Sequence, residues 1–418
     1  MEKFIIQGEV PLKGKIRVKG AKNSALPLMA GCLLTEGKSY LENIPHLTDI
    51  TVMMKVLEGL GAEVKREDDI LEINTAKLSH HEAPYDLVKM MRASILVLGP
   101  ILARFGYARV PLPGGCNIGA RPINLHLEGL KKLGAEIKVK NGYIEARTKR
   151  RLKGNSIYLN LPSVGATEDL LLAASLTEGT TLINNASYSP EVIDLINFLK
   201  KMGAKIENRG GKLIKVEGVK ELRPVSYSII PDRIEAGTFI MAGIITRGEV
   251  TIEGAHIDHL KTPLAKLREM DVKMEITDNE VKIRGESVWK PMKIKTLPYP
   301  GFSTDLQPQI TTLACLTQGV SAIVETIFKD RFTHISELRK MGADIERKEG
   351  MAIVKGVPLL RGTSVVASDI RGGAALILAG LAAKGVTEIH NIYHIDRGYE
   401  KIEERLSKLG ANILRVEE

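Results

Sequence analysis

The decapeptide from Pro113 to Pro122 reads PGGCNIGARP and sets one cysteine among three glycines, with an arginine close behind. Glycines let the chain turn tightly and let a ligand approach the backbone. A thiol in such a polar loop suits work as an acid or a nucleophile, and a nearby cation such as Arg121 favours its thiolate. The plain alternative for Cys116 is a tight turn. Cys32 in GCLL and Cys315 in LACL have the apolar surroundings of structural cysteines. A second group of reactive types stands at the starts of apolar segments. GAKNS, KMMRAS, SVGATED, DRIEAG, STDLQ and DIRGG carry Lys22, Asn23, Arg92, Asp232, Arg233, Asp305, Asp369 and Arg371. A helix start presents unpaired N–H groups and a partial positive charge, which attract anions. Asn23, Ser24, Thr304 and Asp305 also read as plain N-caps. Lys22 and Arg371 oppose the helix dipole, so an anionic ligand accounts for them better. The histidines offer less: His256 and His259 lack a third ligand, so no metal site is expected. No phosphate-binding P-loop or dinucleotide fingerprint occurs.

The elements that position these residues repeat along the chain. LEGLGAEV, LKKLGAEI, LKKMGAKI, LREMDVKM, LRKMGADI and LSKLGANI recur, with Gly61, Gly134, Gly203, Gly342 and Gly410 at one position and Asp271 replacing glycine once. Upstream of each lies an apolar helix ending near Gly37, Gly106, Gly179, Gly248, Gly319 or Gly385. Each unit of roughly 70 residues thus reads as strand pair, apolar helix, strand, amphipathic helix, strand. Helices apolar nearly all round, such as GGAALILAGLAA, belong inside, with amphipathic helices and sheets outside them. The opening strand pair completes the C-terminal set, so both termini fall in one domain. The expected domains are 21–230 and 1–20 with 231–418, three units each, joined by two crossings that make a cleft for the active site. Gly106 to Gly134 spans 28 residues where the sibling intervals span 23 to 25, and the surplus falls at the Cys116 loop. That loop is an insertion into a structural template.

At 418 residues two domains are the default. The net charge of +9 points to acidic partners, yet the charge is scattered and aromatics are 4% of the chain. This disfavours nucleic acid and leaves small anionic substrates. The longest apolar run, Ala93 to Ala103, is shorter than a membrane span. MEKFIIQGEV enters a strand pattern with no signal-peptide features, and three cysteines suit a reducing cytoplasm. A cytoplasmic monomer is expected.

KGAKNSALPLMA, LPGGCNIGARP, SVGATED, PYPGFSTDLQPQ and ETIFKDRFTHISEL resemble the signature stretches of the enolpyruvyl transferases, in the branch that uses UDP-N-acetylglucosamine; the likeness runs from about residue 3 to 415. The resemblance implies two inside-out α/β barrels of three repeated units each. It implies transfer of the enolpyruvyl group of phosphoenolpyruvate to the 3′-hydroxyl of UDP-N-acetylglucosamine, with release of phosphate and no cofactor, as the first committed step of peptidoglycan synthesis. By motif, Cys116 resembles the thiol that protonates phosphoenolpyruvate, and Asp305 the base near the sugar hydroxyl. Lys22, Asn23, Arg121 and Arg397 resemble phosphoenolpyruvate contacts, with Lys22 also counted among the catalytic groups. Arg92, Arg121, Pro122, Ile123, Asn124, Leu125, Ser163, Val164, Gly165, Asp305 and Ile327 resemble sugar-nucleotide contacts, and Arg331 and Arg371 are further cleft arginines. Asn124 stands where aspartate is frequent and Leu161 where some members place lysine, which bears on nucleotide affinity more than on catalysis. The closest rival is 5-enolpyruvylshikimate-3-phosphate synthase, which lacks a catalytic cysteine; a non-catalytic regulatory paralogue is the other.

Overall fold

The recurring glycines mark helix ends. Gly61, Gly134, Gly203, Gly342 and Gly410 have φ between 93° and 107°, and Asp271 takes the same left-handed turn at φ 65°. The bonds around Gly61 are typical of such a cap: its N–H reaches Glu58 O at 2.9 Å and that of Ala62 reaches Leu57 O at 3.0 Å. The computed structural model describes residues 2–114, 123–210, 212–285 and 288–417. Cys116, Arg121 and Pro122 lie outside the described residues.

The described chain is mixed α/β and divides into two compact units. A terminal unit takes 2–19 and 231–417, and a central unit takes 20–114 and 123–230. Each has its own hydrophobic core, and the two cores share no residue. Among the described residues the strands form five sheets of four strands and one of three.

In the central unit, the buried segments are Lys22–Gly31, Leu98–Phe105 and Val164–Ala174, the last buried throughout from Ala166 to Ala174. In the terminal unit they are Arg233–Ile245, Gln307–Ala314 and Ile370–Ala382. Amphipathic helices flank them. Pro190–Lys201 buries Val192, Leu195, Ile196 and Leu199 and leaves Lys200 and Lys201 in solvent, the stripe that a 3.6-residue period produces.

Sheet pairing brings the chain ends together. Glu2–Gln7 lies antiparallel between Val386–His390 and Asn412–Glu417, with Phe4 opposite both Ile389 and Arg415. Lys13–Arg17 runs parallel to Glu249–Glu253. Alternation puts Phe4 and Ile6 in the core and Lys3 and Gln7 on the other face.

Two details differ from the sequence expectation. The second apolar helix is broken: Arg92–Val97 is a 3-10 stretch and the α-helix begins at Leu98. Pro100 falls in the first turn of that α-helix, where its missing N–H leaves no intrahelical bond unmade. After the helix Arg233–Ile245, Arg247, φ 52°, takes the left-handed turn instead of Gly248. Gly248 is needed for space, because a Cβ there would stand 2.2 Å from Leu12 O.

Candidate active site

In the central unit, Lys22 opens the helix Lys22–Gly31 and its ammonium lies 3.0 Å from Asp49 Oδ2, both side chains less than a tenth exposed. Asn23 is half-buried. The capping alternative for Asn23 and Ser24 fails, since Ala21 is the N-cap and the Ser24 hydroxyl donates to Asp194 Oδ2. Tyr227 donates to the other oxygen of Asp194 at 2.6 Å. Burial pushes the Asp194 carboxyl above its ordinary range, against the pull of those two hydroxyls. Both residues flanking Asn23 are therefore pinned by buried carboxylates.

Two further starts in this unit adjoin one another. Ile123 precedes the helix Asn124–Lys132, where Asn124 is exposed and Leu125 half-buried. Ser163 caps Val164–Ala174 by accepting the Ala166 N–H at 3.3 Å. His126 joins the two helices: its Nδ1 lies 3.0 Å from Asp169 Oδ2, and a Cβ on Gly165 would stand 3.4 Å from its ring. The segments expected to hold the sugar nucleotide are thus neighbours, with Val164 exposed at their edge. Arg92, half-buried, opens its own 3-10 stretch.

In the terminal unit, Asp305 lies between two arginines. Arg331 Nη1 donates to its Oδ1 at 2.6 Å, while Arg371 Nη2 and Nε approach its Oδ2 at 3.3 and 3.4 Å. Both guanidiniums are almost fully buried, with Arg331 Nε and Arg371 Nη1 lacking a partner among the described residues. Ser303, not Thr304 or Asp305, supplies the side-chain cap here, accepting the Asp305 N–H at 3.2 Å. Thr304 accepts from Arg331 at 3.1 Å and donates to Glu325 at 2.9 Å. Glu325 also accepts the N–H groups of Ile327 and Phe328 at 2.8 and 3.0 Å, so one buried carboxylate ties Ile327 to the Asp305 cluster. Asp369 caps Ile370–Ala382 through the N–H groups of Arg371 and Gly372. Arg397 ends the 3-10 stretch Ile392–Arg397. Burial lowers the His394 pKa, the Arg397 charge acts in the same direction and Asp369 opposes them.

Several supporting groups were not singled out in the sequence, although Glu168, Glu325 and His334 lie within SVGATED and ETIFKDRFTHISEL. Asp49, Asp194, Tyr227 and Glu325 support site residues from other elements. Burial pushes Glu168 well above the carboxylate range, with Glu191 and Asp169 adding to it. Burial also drives the His334 imidazole down to about 4, with Asp369 opposing and Arg331 assisting. Cys32 and Cys315 are buried thiols pushed up to about 12 by burial, unsuited to acid or nucleophile chemistry. Among the described residues no group of three or more His, Cys, Asp or Glu is placed to hold a metal.

Within each unit, basic side chains and carboxylates stand at the starts of buried helices, an arrangement suited to small anions. The chain belongs to the EPSP synthase (3-phosphoshikimate 1-carboxyvinyltransferase) family, whose sequence model matches residues 6–406. It is 51% identical over 418 residues, all of both chains, to UDP-N-acetylglucosamine 1-carboxyvinyltransferase 2 of Carboxydothermus hydrogenoformans. It is 50% identical over 420 residues, again the whole of both, to the UDP-N-acetylglucosamine 1-carboxyvinyltransferase of Trichlorobacter lovleyi. Among solved structures, the enolpyruvyl transferase NikO from Streptomyces tendae superposes with a TM-score of 0.91 at 26% identity, covering 99% of each chain. EPSP synthase from Acinetobacter baumannii shares the fold, with a TM-score of 0.77 at 18% identity over the whole of both chains.

Proposed function

We propose that the protein transfers the enolpyruvyl group of phosphoenolpyruvate to the 3′-hydroxyl of UDP-N-acetylglucosamine, releasing phosphate, as the first committed step of peptidoglycan synthesis. The observation that carries this is full-length identity near one half to relatives bearing that activity in their names. The Cys116 thiol gives its proton to the methylene carbon of phosphoenolpyruvate, which makes the neighbouring carbon electrophilic. The sugar oxygen attacks that carbon while Asp305 takes the hydroxyl proton. The Cys116 thiolate then takes back a methyl proton while phosphate leaves with the proton held by Asp305, which restores the double bond and both side chains. A base must face the proton it takes, and the two guanidinium contacts within 3.4 Å fix how the Asp305 carboxylate is turned.

Lys22, Asn23, Arg121 and Arg397 hold phosphoenolpyruvate. Arg92, Arg121, Pro122, Ile123, Asn124, Leu125, Ser163, Val164, Gly165, Asp305 and Ile327 hold the sugar nucleotide. Arg331 and Arg371 orient Asp305. The His126 contacts that join the Asn124 and Ser163 helices support the second set. Six repeated units in two inside-out barrels, with domains 21–230 and 1–20 with 231–418, are supported by the shared left-handed helix ends. The same reading takes the protein as a cytoplasmic monomer acting on small molecules without a cofactor, and not on nucleic acid or membranes. Among the described residues no helix is long and apolar enough to cross a membrane.

Phosphate release from phosphoenolpyruvate tests the proposal, with UDP-N-acetylglucosamine or shikimate-3-phosphate as acceptor and with wild type, Cys116→Ala and Asp305→Ala. Release with the nucleotide sugar alone is expected, falling at least about 100-fold in each variant, the usual scale for a positioned acid or base. Release with shikimate-3-phosphate would assign the chain to the rival activity, and none with either acceptor would leave a regulatory paralogue.

A further inference from the structure

Arg397 sits in a segment whose two ends have unusual backbone. Asn391 before it has φ 57° and Lys401 after it φ 41°, left-handed states that persist where surrounding contacts fix them. On one side of Arg397, Asp396 is gripped by both arms of Arg415, Nη2 to Oδ1 at 2.6 Å and Nη1 to Oδ2 at 3.1 Å. The same guanidinium donates from Nε to Glu403 Oε1 at 2.7 Å and from Nη1 to Glu2 Oε2 at 2.9 Å, and lies 5.0 Å from the Phe4 ring centre. Arg415 belongs to the last strand and Glu2 and Phe4 to the first, so the paired chain ends carry the grip. On the other side, Tyr399 is 1% exposed, and its hydroxyl meets Thr238 Oγ1 at 2.9 Å and Gln309 Nε2 at 3.1 Å. Between them a Cβ on Gly398 would stand 2.4 Å from Ile370 Cγ2.

Partly exposed ion pairs add little to stability. A two-armed contact, however, fixes direction as well as distance. We propose that Arg415 is a positioning residue for Arg397: its fork on Asp396 holds the loop in the one placement that offers the Arg397 guanidinium to the carboxylate or phosphate of phosphoenolpyruvate. This rests on the role that the proposed function gives Arg397. A preset loop spends no binding free energy on ordering itself. Loss of the fork therefore weakens capture of phosphoenolpyruvate and leaves the sugar nucleotide and the chemical step alone.

Steady-state phosphate release is measured for wild type, Arg415→Gln, Asp396→Asn and the double variant, with each substrate varied in turn and Tm recorded. Each single variant is expected to raise KM for phosphoenolpyruvate about tenfold, with kcat and KM for UDP-N-acetylglucosamine within about twofold, and the double variant to be no worse than either single, because both remove one contact. Arg415→Lys recovers part of the loss, since an ammonium replaces charge but not the fork. Asp396→Asn leaves Arg415 on Glu2 and Glu403, which keeps the test available if Arg415→Gln does not fold. An unchanged KM for phosphoenolpyruvate in an active enzyme overturns the inference, as does a fall in Tm that moves kcat and both KM values together. A wild type that releases no phosphate with the nucleotide sugar overturns the proposed function instead, and this inference with it.

Discussion

His334 opens its helix 1% exposed, with neither ring nitrogen partnered among the described residues. The fold therefore refuses it a proton. With the imidazole held at about 4 against an ordinary 6.5, the unfolded chain binds a proton that the native chain does not as the pH falls between those values. Stability from this group is complete above the ordinary value and is lost on acidification, by up to about 3 kcal/mol near pH 4. His334→Leu removes the titration and two unpaired polar atoms, so its urea midpoint is expected to fall less than that of wild type between pH 7 and 4.5. Parallel pH dependences would show that His334 takes up its proton in the native state. The sequence displayed Lys22, Asn23, Asp305 and Arg371 because each sits at a helix start next to an apolar run. It did not display what holds them. Asp49 is 27 residues from Lys22 and Asp194 is 170 from Ser24, and only the fold brings such carboxylates to their partners. The Asn23 and Ser24 motif also suggested capping, yet the Ser24 hydroxyl instead meets the buried Asp194 carboxyl.

At the scale of elements, several strands are followed by a residue pressed onto the end of a buried helix. Gly356 is one. Its N–H donates to Gly319 O at 2.9 Å, and a Cβ would stand 1.6 Å from Thr317 O. Gly8, Gly218 and Gly285 are comparably close to Ala383 O, Thr177 O and Arg247 O, at 2.0 to 2.1 Å. Thr75 and Thr148 make the matching bonds to Gly37 O and Gly106 O. A backbone carbonyl yields less readily than a side chain, so Gly356→Ala is expected to cost about 3 kcal/mol, the upper end of overpacking. Gly342→Ala, at φ 93° with open space around it, is expected to cost about 1–2 kcal/mol. Equal urea midpoints for the two variants would mean that the backbone around Thr317 gives way to the Gly356 Cβ at little cost. Helix ends were legible because a C-cap glycine marks them locally. The break before Leu98 was less so, because apolar periodicity does not separate a 3-10 turn from an α-helical one, and Pro100, suited to a first helical turn, was the signal of where the α-helix starts.

For the whole molecule, the opening strand pattern and the closing strand NILRVEE led to the expectation that the chain ends meet, and Glu2–Gln7 and Asn412–Glu417 do pair in one sheet. Glu2–Gln7 supplies a partner to both Val386–His390 and Asn412–Glu417. Its removal leaves two strands with unmet hydrogen bonds and uncovers the core around Phe4 and Ile6, both 0% exposed. The central unit holds none of those residues, and its core is drawn from Ala25 to Ile229 alone. A chain lacking residues 2–7 is therefore expected to lose hydrogen-exchange protection across 231–417 while 20–114 and 123–230 keep theirs. A fragment spanning 20–230 is expected to melt cooperatively by itself, since about 210 residues are ample for one core and below the size at which a core splits. Uniform loss of protection in the truncated chain, or a fragment without a thermal transition, would show that the two cores fold as one cooperative unit. Retained protection in the central unit would instead make the terminal strand a local requirement, felt at Asp396, Arg397 and Asp305 before it is felt at Lys22.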